Sequence, residues 1–288
     1  MKTIIMTALS TLLGLTSLAA SATEFQPFQT YTRPALPLNG EWKIIVDPYE
    51  NGYYNYRYEP FDQMENPPRS AYFRDAKPRH SGELIEYDFD ASESLTVPGD
   101  WNTQKEKLYY YEGSIWYRKL FNAPATEGKQ RTFLHFGAAN YHADVYRNGE
   151  KLGHHVGGFT PFYFETTGKL KPQGNSLVVK VDNKRQRDGV PTLNTDWWNY
   201  GGITRSVRLL VTPEVFVRDY KIQLNDHKTG ELSGYAVVDG AGAGREVRLT
   251  LPQLNIDVRA TTNAEGVATF SARAVGAQLG SPDSPRMY

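Results

Sequence analysis

The sequence predicts an all-β protein in which a jelly-roll β-sandwich is followed by a smaller immunoglobulin-like β-sandwich. Three observations support this fold class. Short runs of alternating apolar and polar residues recur along the chain. Turn signals rich in Gly, Asn and Pro separate these runs at intervals of roughly 8–12 residues, as in sandwiches and barrels. Helical periodicity is almost absent, which argues against a mixed fold.

The first sandwich is predicted to occupy residues 23–212. Its strands are expected at 41–46, 114–121, 131–136, 141–147, 150–156, 160–166, 176–182 and 203–211. Asn148 and Gly149 between two of these runs supply the pair of left-handed residues that a type I′ hairpin turn requires. The second sandwich is predicted for residues 213–288, with Pro213 as the joint and strands at 215–224, 232–238, 245–251, 255–260 and 267–272. The chain reaches Tyr288 where a last strand is expected, so this sandwich is predicted to be incomplete.

The composition excludes several classes of function. The chain has 288 residues, 32 basic and 32 acidic side chains and no cysteine. Nucleic-acid binders need a basic surplus to follow the phosphates, so the balanced charge argues against that partner. Without cysteine there is no disulfide, thiolate zinc site or thiol nucleophile. No metal-ligand spacing or phosphate-binding loop is recognisable, and we expect neither a metal nor a cofactor.

The first 22 residues are typical of a cleavable signal peptide. Lys2 gives a positive start, Ile4–Leu18 is apolar, and Ala20-Ser21-Ala22 is a small-residue cleavage signal. The apolar stretch is too short for a membrane anchor, and no later stretch approaches the length of a spanning helix. We therefore expect a bacterial protein that is secreted or periplasmic and has no membrane partner.

One segment between two predicted strands, Asp196–Ile203 (DWWNYGGI), has the residue types that bind sugars. Aromatic faces stack on the apolar faces of a pyranose ring, while carboxylate and amide groups hydrogen-bond to its hydroxyls. An equally good interpretation is a loop whose tryptophans fill the end of the sandwich and whose Asp196 caps a turn. A second aromatic cluster, Tyr109–Tyr117, suits a saccharide cleft, a subunit contact or a crowded core.

Paired carboxylates indicate a different activity. In a strand, Glu86, Asp88 and Asp90 would share one face, because side chains alternate with period two. Two carboxylic acids are what glycoside hydrolysis requires, so Glu86 and Asp90 are candidates for a jelly-roll glycanase. The alternative is an edge strand whose charges keep it soluble.

Several motifs together resemble the N-terminal half of glycoside hydrolase family 2, and its β-glucuronidase branch most closely. They occur in order and at matching spacing over nearly all of residues 36–212, at Leu38–Lys43, Val97–Asn102, Gly113–Arg118, Asn148–Gly153, Gly157–Phe162 and Asp196–Arg205. Residues 215–288 resemble the immunoglobulin-like domain that follows in that family.

The resemblance implies a retaining β-glycosidase in which a (β/α)₈ barrel carries both catalytic glutamates. A barrel needs about 250 residues, which this chain lacks after the second sandwich, so the resemblance assigns no catalytic residue here. It implies that Asp196 reaches the active site and binds a hydroxyl of the non-reducing sugar. By the same resemblance, Asn199 and Tyr200 shape that site, and Ser114 borders it.

Four functions stay open from the sequence. The chain is the non-catalytic, saccharide-binding front part of an exported β-glycosidase that resembles β-glucuronidases or β-galactosidases, with a glucuronide or galactoside as its saccharide and the absent barrel as its partner. Alternatively, it is a free-standing carbohydrate-binding module that uses Asp196 and Trp197, or a glycanase that uses Glu86 and Asp90. A structural protein that forms homo-oligomers through its aromatic surface is the fourth, and the resemblance also implies pairing through the sandwiches.

Overall fold

The computed structural model describes Thr30 and residues 32–288, so the predicted signal peptide at residues 1–22 lies outside the described residues. The described residues form fifteen β-strands and four short 3₁₀ turns, and they contain no α-helix. The all-β fold class is thereby confirmed. The strands are β1 (Ala35–Pro37), β2 (Gly40–Asp47), β3 (Ser94–Val97), β4 (Ser114–Phe121), β5 (Gln130–Phe136), β6 (His142–Arg147), β7 (Glu150–Val156), β8 (Phe162–Glu165), β9 (Asn175–Asp182), β10 (Val207–Pro213), β11 (Phe216–Asp226), β12 (Glu231–Asp239), β13 (Glu246–Leu251), β14 (Ile256–Thr261) and β15 (Val267–Arg273).

Two antiparallel sheets form the first sandwich. One has six strands in the order β3-β2-β4-β9-β6-β7, and the other has four in the order β1-β10-β5-β8. Alternation along each strand fills the space between them: Ile115 and Tyr117 of β4 face this core, while Trp116 faces the opposite side of the sheet. Asn148 and Gly149 join β6 to β7 with φ values of 52° and 83°, which are the left-handed angles that the hairpin requires.

The second sandwich is smaller and follows directly. Its sheets are β11-β12-β15 and β13-β14, and the predicted joint at Pro213 lies at the end of β10. The two sandwiches contact each other near this joint. The ring of Phe216 packs edge-on against Phe133, with 5.8 Å between centroids. Arg131 Nη1 lies 2.9 Å from Asp239 Oδ1, which adds an ion pair beside the aromatic contact.

The segment 48–93 between β2 and β3 covers the outer face of the six-stranded sheet and builds a second core there. Tyr53, Tyr72 and Phe73 pack against Trp116 and Tyr146, which point outward from the sheet. The apolar pattern of this segment is irregular, so hydrophobic periodicity does not predict this second core. Burial of these rings, each worth about 2 kcal/mol or more, explains why so long a connection is ordered.

The strand predicted for Glu86–Asp90 is wrong. This stretch consists of bends and turns, because the Asp88 carboxylate accepts a hydrogen bond from the Asp90 backbone N–H, a local bond that competes with strand pairing. Glu86 is exposed, whereas the Asp90 carboxylate pairs with Arg118 and Lys77. The three acids therefore do not form the strand face on which the glycanase hypothesis depended.

A buried histidine in β5 predicts how stability depends on pH. His135 is 2% exposed and lies opposite Arg208 of β10. Burial is the main cause that lowers the pKa of His135 to about 4, and the positive charge of Arg208 is the second cause. The unfolded histidine accepts a proton at about pH 6.5, so this contribution to stability is complete above that pH and is lost as the pH falls towards 4.

We expect the titration of His135 to lower the free energy of unfolding by about 2–3 kcal/mol between pH 7 and pH 4.5. Urea unfolding of the wild type and of His135→Gln at both pH values measures the effect, since the variant cannot titrate at this position. The acidic residues contribute equally to both proteins, so the difference between their pH dependences isolates His135. Equal losses of stability in both proteins would contradict the prediction.

Candidate functional site

Strand register brings three loops to one end of the six-stranded sheet. Asp47 at the end of β2 lies opposite Ser114 at the start of β4, and Ser114 lies opposite Asp182 at the end of β9. The chain after β2, the chain before β4 and the chain after β9 therefore all leave the sheet at this end. The predicted sugar-binding loop, Asp196–Ile203, belongs to the last of these connections.

Buried amides anchor the base of this loop. Asn183 Nδ2 donates to the carbonyl of Asn199, and Asn199 Nδ2 donates back to the carbonyl of Asn183. Asn140 Nδ2 donates to Asn199 Oδ1 at 3.0 Å, and Asn102 Oδ1 accepts from the backbone N–H of Gly201 at 3.0 Å. Asn199 is 4% exposed, so its side chain holds the loop in place and is not presented to a ligand.

Arg185 fixes the outer part of the same loop. Its Nε donates to Glu112 Oε1 at 2.8 Å, and its Nη1 donates to Thr195 Oγ1 at 2.5 Å. Its Nη2 donates to the carbonyl of Trp197 at 3.3 Å. One guanidinium thus holds the residues on both sides of Asp196. A planar fork of donors suits this role, because it can bind several acceptors at once.

Asp196 itself is exposed, and no hydrogen bond or ion pair within the described residues occupies its carboxylate. A carboxylate on an anchored backbone can accept hydrogen bonds from the hydroxyls of a ligand with little further ordering. Trp197 beside it is 57% exposed. Both side chains are therefore available at the surface.

Four exposed rings form what we call the aromatic platform: Tyr109, Tyr110, Trp198 and Tyr200. The ring of Trp198 lies 4.9 Å from Tyr109, 5.4 Å from Tyr110 and 6.3 Å from Tyr200 between centroids. A cavity of about 110 Å³ lies beside it, lined by Asn102, Tyr109, Tyr110, Glu112, Arg185, Trp198 and Asn199. The two aromatic stretches noted in the sequence thus meet in space.

Ser114 is fully buried, and its hydroxyl donates to Glu50 Oε1 at 3.2 Å. Its side chain is absent from the exposed surface that carries Asp196 and the platform. Burial alone would raise the pKa of the Glu50 carboxyl, but the nearby ammonium groups of Lys180 and Lys184 outweigh burial and hold that pKa below its ordinary value. Ser114 thus belongs to a polar network under the loops.

Sequence reasoning missed the residues that position the loop. Asn140, Asn183 and Arg185 lie outside the motifs that the sequence analysis identified, and Asn102 ends one of those motifs but was given no role there. Among residues 30 and 32–288, no group of three or more metal-ligating side chains is suited to hold a metal ion. No helix within that part of the chain has the length and apolarity needed to cross a bilayer.

The close packing at Gly201 predicts a specific effect of mutation. A Cβ atom at Gly201 would lie 2.1 Å from Trp101 Cζ2, and Trp101 is completely buried. Gly201→Ala is therefore expected to cost about 1–3 kcal/mol of stability, because a rigid indole must shift. Gly189→Ala is the matched control, since its Cβ would meet only ordinary contacts at 3.5 Å.

Thermal unfolding of the two variants beside the wild type measures this difference. A melting temperature that falls for Gly201→Ala and stays unchanged for Gly189→Ala is the expected result. Equal melting temperatures for all three proteins would show that the loop is not packed on Trp101 as described.

Comparison with known proteins identifies the family of this chain. Residues 37–213 match the profile of the "Glycosyl hydrolases family 2, sugar binding domain". A β-glucuronidase of Bacteroides fragilis is 39% identical over 128 residues, which cover 43% of this chain and 18% of that protein. A β-glucuronidase of Paenibacillus borealis is 26% identical over 247 residues, covering 78% of this chain and 37% of that protein.

A solved structure shares the fold. The Bifidobacterium dentium β-glucuronidase, complexed with coumarin-3-O-glucuronide, superposes with a TM-score of 0.68 at 24% identity, over 90% of this chain and 44% of that one. The present chain thus spans less than half the length of these relatives. Because the family profile covers most of the chain, and covers the site, the chain belongs to glycoside hydrolase family 2 through its sugar-binding domain.

Proposed function

We propose that this chain is the non-catalytic, saccharide-binding portion of an exported retaining β-glycosidase that acts on β-glucuronides or related β-glycosides. The observation that carries the proposal is the exposed carboxylate of Asp196, which has no hydrogen-bond or ion-pair partner among the described residues and lies on an anchored loop beside the aromatic platform. The relatives named as β-glucuronidases support the glucuronide class. Met1–Ala22, with the features of a signal peptide, supports export.

The geometry suits the binding of a sugar ring. The carboxylate of Asp196 accepts hydrogen bonds from ring hydroxyls, and these charge-assisted bonds are the stronger kind. The rings of Trp198 and Tyr109 are tilted by 59° to each other, so the face of one or the other offers flat apolar surface to the C–H face of the sugar ring. Because amides and Arg185 already fix the loop, little conformational entropy is lost when the sugar binds.

The same geometry does not suit hydrolysis by these residues. A retaining glycosidase needs two carboxyl groups about 5–5.5 Å apart, one as acid and base and one as nucleophile. Within the described part of this site, the Glu112 carboxylate is ion-paired with Arg185, whereas the Asp196 carboxylate has no such partner. We therefore assign the reacting acids to a partner segment with the barrel fold of the family.

A second candidate function is a free-standing carbohydrate-binding module. It is favoured by the observation that Asp196, Trp197 and the aromatic platform all belong to the first sandwich, which has its own core. Such a module would bind a saccharide without the barrel. The two candidates share the same site and differ in whether supplying a barrel yields activity.

Calorimetric titration with methyl β-D-glucuronide tests the proposed site. Asp196→Ala is expected to weaken binding about tenfold or more, because hydrogen bonds to a charged group contribute about 1.5–3 kcal/mol. Asp188→Ala is the matched control, since it removes another exposed carboxylate from the same connection. The wild-type chain alone is expected to leave 4-nitrophenyl β-D-glucuronide uncleaved.

Equal binding by the wild type and Asp196→Ala would contradict the proposed site. Equal weakening in Asp188→Ala would show that the effect is not specific to Asp196. Cleavage of the nitrophenyl glycoside by the chain itself would contradict the non-catalytic role.

A further inference from the structure

A second exposed aromatic surface lies at the same end of the sheet. Residues 49–59, which we call the tyrosine tip, follow directly after β2. Tyr49, Tyr56 and Tyr58 of the tip are 82–84% exposed. The site described above uses none of these rings. Large aromatic side chains so fully exposed, and grouped in one short segment, indicate a binding surface.

The backbone of the tyrosine tip is held firmly. The carboxylate of Asp47 accepts hydrogen bonds from the N–H groups of Asn51 and Gly52, each at 2.9 Å. Asn55 Oδ1 accepts from the N–H groups of Arg57 and Glu59 at 2.8 and 3.0 Å. The exposed rings therefore project from an ordered turn, which lowers the entropic cost of binding a ligand.

One of these rings is held at a conformational cost. Tyr58 has φ of 59°, in the left-handed region that bulky residues rarely adopt. Glycine or asparagine would occupy this position with less strain. The tyrosine ring is also exposed, so its presence here is not explained by burial in a core. Strain at an exposed aromatic residue favours a role in binding.

The charge at the tip suits an acidic ligand. The guanidinium of Arg57 lies 5.2 Å from the ring centroid of Tyr56, and no carboxylate within the described residues is ion-paired with it. Glu59 is close in sequence, but its Oε2 accepts a hydrogen bond from Asn55 Nδ2. An arginine beside flat aromatic surface can bind a carboxylate in bidentate fashion while a sugar ring packs on the tyrosine.

A short chain of polar contacts joins the tip to the Asp196 loop. Glu50 Oε2 of the tip lies 3.1 Å from Lys184 Nζ. The next residue, Arg185, donates to Thr195 and to the carbonyl of Trp197. Polar contacts through Glu50, Lys184 and Arg185 thus connect the base of the tip to the Asp196 loop at one end of the sandwich.

We propose that the tyrosine tip is a second saccharide subsite, which takes a uronate ring further along an oligosaccharide whose terminal ring lies at Asp196. The proposal rests on the proposed function, because it names the substrate class of that site: an acidic oligosaccharide in place of a simple glucuronide. Tyr56 and Tyr58 supply the stacking surface, and Arg57 binds the carboxylate.

The test compares two ligands by calorimetric titration: methyl β-D-glucuronide, and a hyaluronan tetrasaccharide with β-linked glucuronic acid at its non-reducing end. The tetrasaccharide is expected to bind about tenfold more tightly than the monosaccharide, because one of its sugar rings also contacts the aromatic rings of Tyr56 and Tyr58. The double variant Tyr56→Ala/Tyr58→Asn is expected to remove this advantage and leave binding of the monosaccharide unchanged. Asparagine tolerates the left-handed backbone, so the tip keeps its shape.

Leu84→Ala is the control for the loss of an exposed apolar side chain from the same connection, since Leu84 is 96% exposed and lies outside the tip. It is expected to bind both ligands like the wild type. Arg57→Gln is expected to weaken the tetrasaccharide alone and to reduce the salt dependence of its binding.

The outcomes separate the two proposals. A tetrasaccharide that binds no more tightly than the monosaccharide, or that is unaffected by the double variant, overturns the subsite and leaves the Asp196 site standing. An unchanged Arg57→Gln overturns the uronate assignment. Failure of the wild type to bind either ligand overturns the proposed function and the subsite together.

Discussion

The reciprocal hydrogen bonds between Asn183 and Asn199 are the interaction on which the site depends. Each side-chain amide donates to the backbone carbonyl of the other residue, and both are buried. An unsatisfied amide in this position would cost about 1–3 kcal/mol, so the pair strongly favours one path for the loop. Asn102 and Asn140 extend the same network to the connections before β4 and β6. Loops of three different origins are thereby held in one arrangement.

The division between buried and exposed groups follows from that anchoring. The amides and Arg185 satisfy the backbone and one another, which leaves the Asp196 carboxylate and the rings of Trp197 and Trp198 at the surface. The alternative interpretation of the sequence required the tryptophans to fill the end of the sandwich. Their exposure shows that they do not. The segment 48–93 contributes to the same end of the sheet, because its own core packs on Trp116 and Tyr146 and its tip follows β2.

Alternating side chains predicted the strand Ser114–Phe121, and the Asn148-Gly149 turn predicted the returning strand Glu150–Val156; both agree with the structure residue for residue. Prediction failed in segment 48–93, because an aromatic core without regular secondary structure leaves no period in the sequence. It also failed at Asp88, where a local side-chain bond replaces strand pairing. At the site, Asp196 is predicted to bind the sugar and its carboxylate is exposed, whereas Asn199, predicted to shape the site, has its amide buried in the anchor. Long-range partners such as Asn102 and Arg185 become visible only after folding.

A crystal structure of the chain with methyl β-D-glucuronide tests most directly whether Asp196 binds the sugar. We expect a sugar hydroxyl within hydrogen-bond distance of the Asp196 carboxylate, with one face of the ring against Trp198 or Tyr109. A sugar bound at another surface, with Asp196 facing bulk solvent, would contradict it.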